Sequence, residues 1–182
     1  MDDVAGRLFA DDTAEPAPVV TLVDFDPEAE IKLVAAALYP HLSLPETQIE
    51  AKVRRMTVDE RLAVLRAYEG DRTNRRHKPG RALEATTYTF EVARAYGAYR
   101  ALQPHRLLTL QARPLTPHLG YDLPEEVADA GGGARYAEAQ TACADLARDL
   151  AGPFPTEAAY AVTLAHRIRF SMTMNAREAM HL

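Results

Sequence analysis

Two widely separated segments in which apolar and polar side chains alternate constrain this fold more than any other feature of the sequence. In residues 87–92 and 167–174 every second side chain is apolar, a period of two that predicts half-buried β-strands. A third segment, 19–23, is rich in β-branched residues and predicts another strand. Because helix signals fill much of the remaining chain, we predict an α+β domain with helices packed on a small, twisted, mixed sheet.

The helix signals are specific at several points. Thr57 and Glu60 have the spacing of a capping box, and Gly70 is expected to end that helix. Asn175 and Glu178 repeat the same start signal near the end of the chain. Further helices are predicted at 26–39, 45–56, 93–103, 134–150 and 158–166. The core-facing residues are predicted to be Tyr96, Tyr99 and Leu102 in one helix and Tyr136, Ala139, Cys143, Leu146 and Leu150 in another.

Size and composition suit one domain. The chain has 182 residues, of which 47% are apolar, and a net charge of −5. This charge argues against a general nucleic-acid binder. We expect a flexible arm at 1–18, a single domain at 19–182, and a cytoplasmic protein, because neither a signal peptide nor an apolar run long enough to cross a membrane is evident. The last helix signal stops at Leu182, so we expect either a truncated chain or an unusually short gene product.

Simple catalytic and metal-binding motifs do not occur in the sequence. It contains no Gly-rich phosphate loop, no Gly-x-Ser-x-Gly elbow and no His-Glu-x-x-His pair. The six histidines lack metal-ligand spacing, and the single cysteine, Cys143, is interpreted as a buried hydrophobic residue. We therefore expect no metal site.

A cluster of positive charge interrupts the acidic chain. Five cations fall within ten residues: Arg72, Arg75, Arg76, Lys78 and Arg81. This segment is either a solvated basic loop or a local site for phosphate or a nucleotide.

Three segments, taken in order, resemble the flavin-dependent thymidylate synthases. Arg81-Ala82-Leu83-Glu84 leads into the strand Tyr88–Val92, as a glutamate precedes a Phe-Thr-Phe strand in that family. Gln103-Pro104-His105-Arg106 stands where the family has Arg-His-Arg. Residues 169–177 match a strand followed by Asn-Ala-Arg. The resemblance covers roughly residues 79–118 and 158–182, with the intervals between its parts kept.

The resemblance implies an activity and an assembly. Family members convert dUMP to dTMP, taking the methylene from methylenetetrahydrofolate and the reducing hydride from FAD that NADPH has reduced. They are homotetramers with shared active sites, so self-association as a tetramer or a dimer is expected. The protein part of such a site binds and orients the flavin.

The cofactor side of the family site is largely retained. The resemblance implies that seven residues contact FAD: Arg81, Glu84, His105, Arg106, Asn175, Arg177 and His181. No catalytic residue is identified.

The substrate side is eroded. In the register of the family motif, the nucleotide-holding Glu, Ser and Arg positions are Ala112, Pro114 and Thr116, and a further arginine position falls at Ala159. Arg113, one residue from a lost position, is a candidate substitute for binding a dUMP-like nucleotide.

Alternatives remain open for these residues and for the chain. Asn175 and Glu178 form a good cap without any ligand, His105 and Arg106 could simply pair with carboxylates, and Glu84 could be a surface residue. The chain could be an active enzyme, a catalytically silent FAD-binding or structural and regulatory relative, or a nucleotide- or RNA-binding module that uses residues 72–81.

Overall fold

The computed structural model of the chain describes residues 2–13, 15–74 and 76–182. Within these residues, four strands form one sheet, accompanied by eight α-helices. The strands are β1 (Val20–Phe25), β2 (Thr87–Ala95), β3 (Thr109–Ala112) and β4 (Arg167–Asn175). The α-helices are α1 (Asp2–Leu8), α2 (Ala29–Leu38), α3 (Glu46–Val53), α4 (Val58–Glu69), α5 (Tyr96–Leu102), α6 (Glu125–Asp129), α7 (Gly133–Ala151) and α8 (Ala176–Ala179). Short 3-10 helices span Tyr39–His41, Arg81–Glu84 and Glu157–Ala161. The predicted α+β class is confirmed.

The sheet has the order β1-β2-β4-β3, and every neighbouring pair of strands is antiparallel. The prediction of a mixed sheet was therefore wrong. β2 and β4 pair along their whole lengths, from Thr87 opposite Asn175 to Ala95 opposite Arg167. Because antiparallel sheets commonly bury only one face, the two alternating sequences give one apolar and one polar face.

The apolar face of the sheet contains the first core. Phe170 is 2% exposed and Ile168 is equally buried, and Val92 of β2 lies beside them. The ring of Tyr99 in α5 meets Phe170 edge-on at 5.1 Å between centroids. Tyr96 and Leu102 also pack on this cluster, so the predicted core face of α5 is confirmed.

A second core joins three helices. Val34 of α2 and Val53 of α3 are fully buried, and Val64 and Leu65 of α4 pack against them. α4 begins at the predicted capping box, in which the Thr57 side chain accepts a hydrogen bond from the Glu60 backbone N–H and Glu60 accepts one from the Thr57 backbone N–H. This helical layer positions the end of α4 beside the 3-10 helix Arg81–Glu84.

Two predicted helices are present but differ from the structure in their extent or in their buried face. Residues 93–95 belong to β2 because they pair with β4, and this pairing outweighs their helix propensity. In α7 the buried face passes through Gln140 and Ala147, whereas Ala139 and Leu146 are exposed. The apolar stripe is thus rotated from the predicted one, since steps of four and three residues from Tyr136 reach 140, 143 and 147.

The predicted helix 158–166 is only a 3-10 helix followed by a turn. The turn is held by the Thr163 hydroxyl, which donates to Gln140 at 2.5 Å and accepts from the Ala165 backbone N–H at 3.3 Å. Local side-chain bonds of this kind compete with helical ones. His166, which is 1% exposed, completes the turn by accepting at Nδ1 from the Thr163 backbone N–H at 3.1 Å.

Burial of His166 predicts acid sensitivity. Burial disfavours the imidazolium and lowers the pKa of His166 below its ordinary value of 6.5. Below pH 6.5 the His166 imidazole binds a proton in the unfolded chain but not in the folded chain. The free energy of unfolding therefore falls by up to about 1.4 kcal/mol for each pH unit of acidification. Urea unfolding between pH 7.5 and 5.5 measures this slope. The His166→Gln variant should show a flatter slope, and an unchanged slope would contradict the assignment.

Three elements were not predicted. α1 lies in the expected flexible arm, and its Val4 and Leu8 are 41% and 67% exposed, so no buried apolar stripe marked it. β3 and α6 have only four and five residues, too few to show a period.

No helix within the described ranges combines the length and apolar character needed to span a bilayer.

Candidate functional site

The end of β4 and the start of α8 position the first part of the site. Asn175 closes β4 and caps α8, with its Oδ1 accepting from the Glu178 backbone N–H at 2.8 Å. The cap considered as an alternative for Asn175 is therefore present. It fixes the first turn of α8, which carries Arg177 and Glu178.

Arg177 links α8 to the basic segment. Its Nη1 lies 2.5 Å from Oε1 of Glu84, and its Nε donates to the carbonyl of Pro79 at 3.0 Å. The other oxygen of Glu84 pairs with Arg81 Nη2 at 3.2 Å. Arg81 and then Arg177 hold the pKa of Glu84 below its ordinary value, so this carboxylate is ionised at neutral pH. Glu84 thereby fixes the direction of both guanidinium groups.

His105 approaches α8 from the other side. Its Nδ1 lies 3.4 Å from Oε1 of Glu178, a carboxylate that is only 4% exposed. The rings of His105 and His181 meet edge-on at 6.2 Å between centroids. A buried carboxylate needs a polar partner, and among the described residues His105 is the side chain that supplies one to Glu178.

Arg177, Glu178 and His181 line one open groove with a volume of about 170 Å³. Its lining joins three cations or potential cations to two apolar side chains and the buried carboxylate: Lys78, Arg177, His181, Pro79, Leu107 and Glu178. Small-molecule pockets usually measure about 300–1,000 Å³. The groove can therefore hold an anionic group and part of an attached ring system, but not a whole dinucleotide.

Two of the predicted site residues, Arg177 and His181, line this groove. Glu84, His105 and Asn175 stand behind the lining, in contact with Arg177 or Glu178. Arg106 and Arg113 lie apart from it. Arg106 is exposed and pairs with no carboxylate in the described ranges. Arg113 pairs instead with Glu91 of β2 at 3.4 Å, a carboxylate that also meets Arg169 at 2.9 Å. Within the basic segment, Arg72 donates to the Met180 carbonyl at 3.4 Å, and Arg75 lies outside the described residues.

The positions that the resemblance assigns to nucleotide anchors meet elsewhere. Pro114, Thr116 and Ala159 line a second pocket of about 330 Å³ between the loop after β3 and the end of α7. Its one arginine, Arg148, is paired with Asp145. The structure thus brings three of these positions together, without Ala112, and among the described residues the pocket lining contains no unpaired arginine.

Sequence reasoning missed several groove residues. Lys78 and Pro79 were visible only as members of a basic segment, and Leu107 carried no signal. Glu178 was recognised as part of a cap, but its burial against His105 depends on a contact between distant parts of the chain. Among the described residues, no three His, Cys, Asp or Glu side chains cluster as metal ligands do.

A buried hydroxyl beside this site predicts a stabilising substitution. Thr86 is 1% exposed, and its Oγ1 contacts no hydrogen-bond partner in the described part of the chain. Because a buried unsatisfied hydroxyl costs about 1–3 kcal/mol, the near-isosteric Thr86→Val variant should gain about 1 kcal/mol in the free energy of unfolding. Chemical denaturation measures the change. A loss of stability would show that the hydroxyl has a partner in solution.

Comparison with solved structures identifies the fold. The fold matches the UMP/dUMP methylase PolB from Streptomyces cacaoi bound with 5-Br dUMP, with a TM-score of 0.66 at 18% identity, over 89% of this chain and 74% of that one. It also matches the flavin-dependent thymidylate synthase ThyX from Helicobacter pylori complexed with FAD and dUMP, with a TM-score of 0.55 at 16% identity, over 88% and 80% of the two chains. The architecture is that of the flavin-dependent thymidylate synthases.

The sequence comparison identifies the family. The model of the thymidylate synthase complementing protein family, Thy1, matches residues 21–182. This chain therefore belongs to that family, as a divergent member.

Curated relatives are much longer than this chain. A UPF0159 protein from Chlamydia muridarum is 35% identical over 158 residues, which make up 87% of this chain and 30% of that protein. Another from Thermoplasma acidophilum is 34% identical over 166 residues, or 89% and 33%. The chain spans about a third of the length of the curated relatives it matches.

Proposed function

We propose that this chain binds FAD in the groove between α8 and residues 78–84 and functions as a flavin-dependent thymidylate synthase with an altered nucleotide site. The observation that carries this proposal is the convergence of Glu84, His105, Asn175, Arg177 and His181 on one side of the molecule. These residues come from three distant segments, and their pairing through Glu84 and Glu178 leaves cationic groups beside an open groove.

The groove chemistry fits part of FAD. A diphosphate favours guanidinium forks and ammonium groups. The groove offers Lys78 and the Nη2 of Arg177, since the contacts of Arg177 to Glu84 and Pro79 use Nη1 and Nε. Lys78 is exposed and pairs with no carboxylate among the described residues. Each charge-assisted contact contributes about 1.5–3 kcal/mol. Pro79 and Leu107 add an apolar surface suited to a ring edge.

The residues of the chain have separate roles in this proposal. Glu84 orients the Arg177 guanidinium, and the Asn175 cap fixes the turn that carries it. Glu178 contacts His105 behind the groove, and the His105 ring in turn meets the ring of His181, which lines it. Bound FAD would supply hydride transfer, with NADPH as reductant. These residues therefore bind and orient, and no catalytic residue is assigned.

For the substrate we propose a dUMP-like pyrimidine nucleotide with methylenetetrahydrofolate as the one-carbon donor. PolB and ThyX were crystallised with such nucleotides, which supports the substrate class. The second pocket, lined by Thr116 and Ala159, is the candidate nucleotide site, and its lack of an unpaired arginine in the described ranges favours weaker phosphate binding. Arg113 is a low-affinity candidate anchor because it already pairs with Glu91.

Self-association is also part of the proposal. The groove is too small for a whole FAD molecule, so a second copy, in a dimer or a tetramer, would complete the site. Gel filtration with light scattering, with and without FAD, measures the assembly.

A catalytically silent FAD-binding protein is the second candidate function. It is favoured by the apolar residues at the nucleotide-anchor positions, Pro114 and Ala159. Both candidates predict a yellow protein that FAD stabilises against heat. Transfer of the methylene group from labelled methylenetetrahydrofolate to dUMP separates them, because only the enzyme forms labelled dTMP. A colourless protein without thermal stabilisation by FAD would contradict both.

A further inference from the structure

Gly80 lies against the ring of Tyr68. A Cβ added at Gly80 would stand 2.2 Å from the Tyr68 hydroxyl oxygen and 2.3 Å from Cζ, and real Cβ atoms do not approach other atoms so closely. The backbone of Gly80 has φ −68° and ψ 162°, an extended conformation open to any residue. A side chain at Gly80 would therefore require the end of the Tyr68 side chain to shift, so glycine is favoured here by space and not by backbone freedom.

The tyrosine uses this space to make a specific hydrogen bond. The Tyr68 hydroxyl oxygen accepts from the backbone N–H of Ala82 at 2.8 Å. Ala82 is buried, at 7% exposed, and lies in the 3-10 helix Arg81–Glu84. Tyr68 itself stands in the last turn of α4, whose Val64 and Leu65 pack in the helical core.

The same short segment is held from its other side by α8. Arg177 donates to the Pro79 carbonyl at 3.0 Å and pairs with Glu84 at 2.5 Å. Residues 79–84 are thus fixed between two helices, by Tyr68 on one side and Arg177 on the other. The groove cation Lys78 and the Arg81–Glu84 pair are attached to this segment.

We propose that Tyr68 and Gly80 are positioning residues for the flavin site: their close contact sets the place of the 78–84 wall of the groove, and hence its affinity for the FAD diphosphate. This inference rests on the proposed function. Neither residue lines the groove, so their effect passes through the backbone that carries Lys78, Arg81 and Glu84.

A double-mutant cycle tests the contact. The Gly80→Ala variant should weaken FAD binding at least about tenfold, the loss expected when one charge-assisted contact is displaced. In a Tyr68→Ala background, where the ring is gone, the same substitution should have no further effect. Gly152→Ala is the matched control, because a Cβ at Gly152 meets nothing within 4 Å and its φ is not positive. Flavin fluorescence titration gives the dissociation constants.

The Tyr68→Phe variant gives a second readout that does not need FAD. It keeps the ring and removes only the acceptor, so the Ala82 amide should exchange with solvent at least about tenfold faster while the remaining amides are unchanged. Circular dichroism confirms that each variant is folded.

The outcomes separate the two proposals. If the unaltered chain does not bind FAD, the proposed function falls, while amide exchange still tests the contact. If the unaltered chain binds FAD, and the Gly80→Ala and Gly152→Ala variants have the same dissociation constant for FAD, the positioning role is overturned. Equal effects of Gly80→Ala with and without the Tyr68 ring, or an unchanged Ala82 exchange rate in Tyr68→Phe, would also overturn it.

Discussion

Replacing Arg177 with alanine should weaken FAD binding about a hundredfold. The substitution removes one charge-assisted contact to phosphate, worth about 1.5–3 kcal/mol, at about 1.4 kcal/mol per power of ten. It also removes the partner of the Pro79 carbonyl at 3.0 Å and of one Glu84 oxygen at 2.5 Å, which leaves that carboxylate paired with Arg81 alone. Flavin fluorescence titration measures the effect. The Arg177→Lys variant should recover only part of the affinity, because an ammonium group lacks the guanidinium fork.

Arg54→Ala is the matched control for charge. The Arg54 side chain is 44% exposed and, like Arg177, pairs with a carboxylate, Glu28, but it lines neither the groove nor the second pocket. Its removal changes the net charge of the chain by the same amount as the Arg177 substitution does. If both variants lose affinity equally, the effect is one of overall charge, and the groove between α8 and residues 78–84 is not the flavin site.

The Phe170→Ala variant should lose about 3–5 kcal/mol in the free energy of unfolding. Phe170 is 2% exposed at the centre of the apolar face of the sheet, where Tyr99 meets it edge-on at 5.1 Å between ring centroids. Truncation removes the buried ring and leaves a cavity between β4 and α5. Since β4 ends at Asn175, FAD binding should weaken together with stability. Urea denaturation measures the loss in the free energy of unfolding.

Tyr160→Ala serves as the comparison, because Tyr160 is 91% exposed. Its loss should change stability by less than about 0.5 kcal/mol. An equally small change in Phe170→Ala would mean that the sheet face packs differently from the arrangement described.

Local signals in the sequence predicted the parts of the fold that depend on neighbours in the chain. The alternation in 87–92 and 167–174 placed β2 and β4, and the capping patterns at Thr57 and Asn175 placed the starts of α4 and α8. Asn175 illustrates the limit of this reasoning. Its spacing from Glu178 predicted the cap, but nothing local predicted that Glu178 would be buried against His105.

Contacts between distant segments were beyond prediction from the sequence. The prediction of a mixed sheet was wrong because the direction of each strand depends on the path of the long connections between strands. Residues 93–95 belong to β2 because they pair with residues of β4. The Tyr68–Gly80 contact joins residues whose local patterns indicate only a helix and a loop. For Arg113 the sequence suggested a substrate contact, whereas the structure pairs it with Glu91.

Hydrogen exchange of the unaltered chain, with and without FAD, should show whether FAD occupies the groove formed by α8 and residues 78–84. Slower exchange should concentrate in residues 78–84, 105–107 and 175–182, because a bound ligand suppresses local opening where it contacts the protein. Unchanged exchange in all three segments, or protection confined to residues 114–118 and 155–159 of the second pocket, would contradict the account.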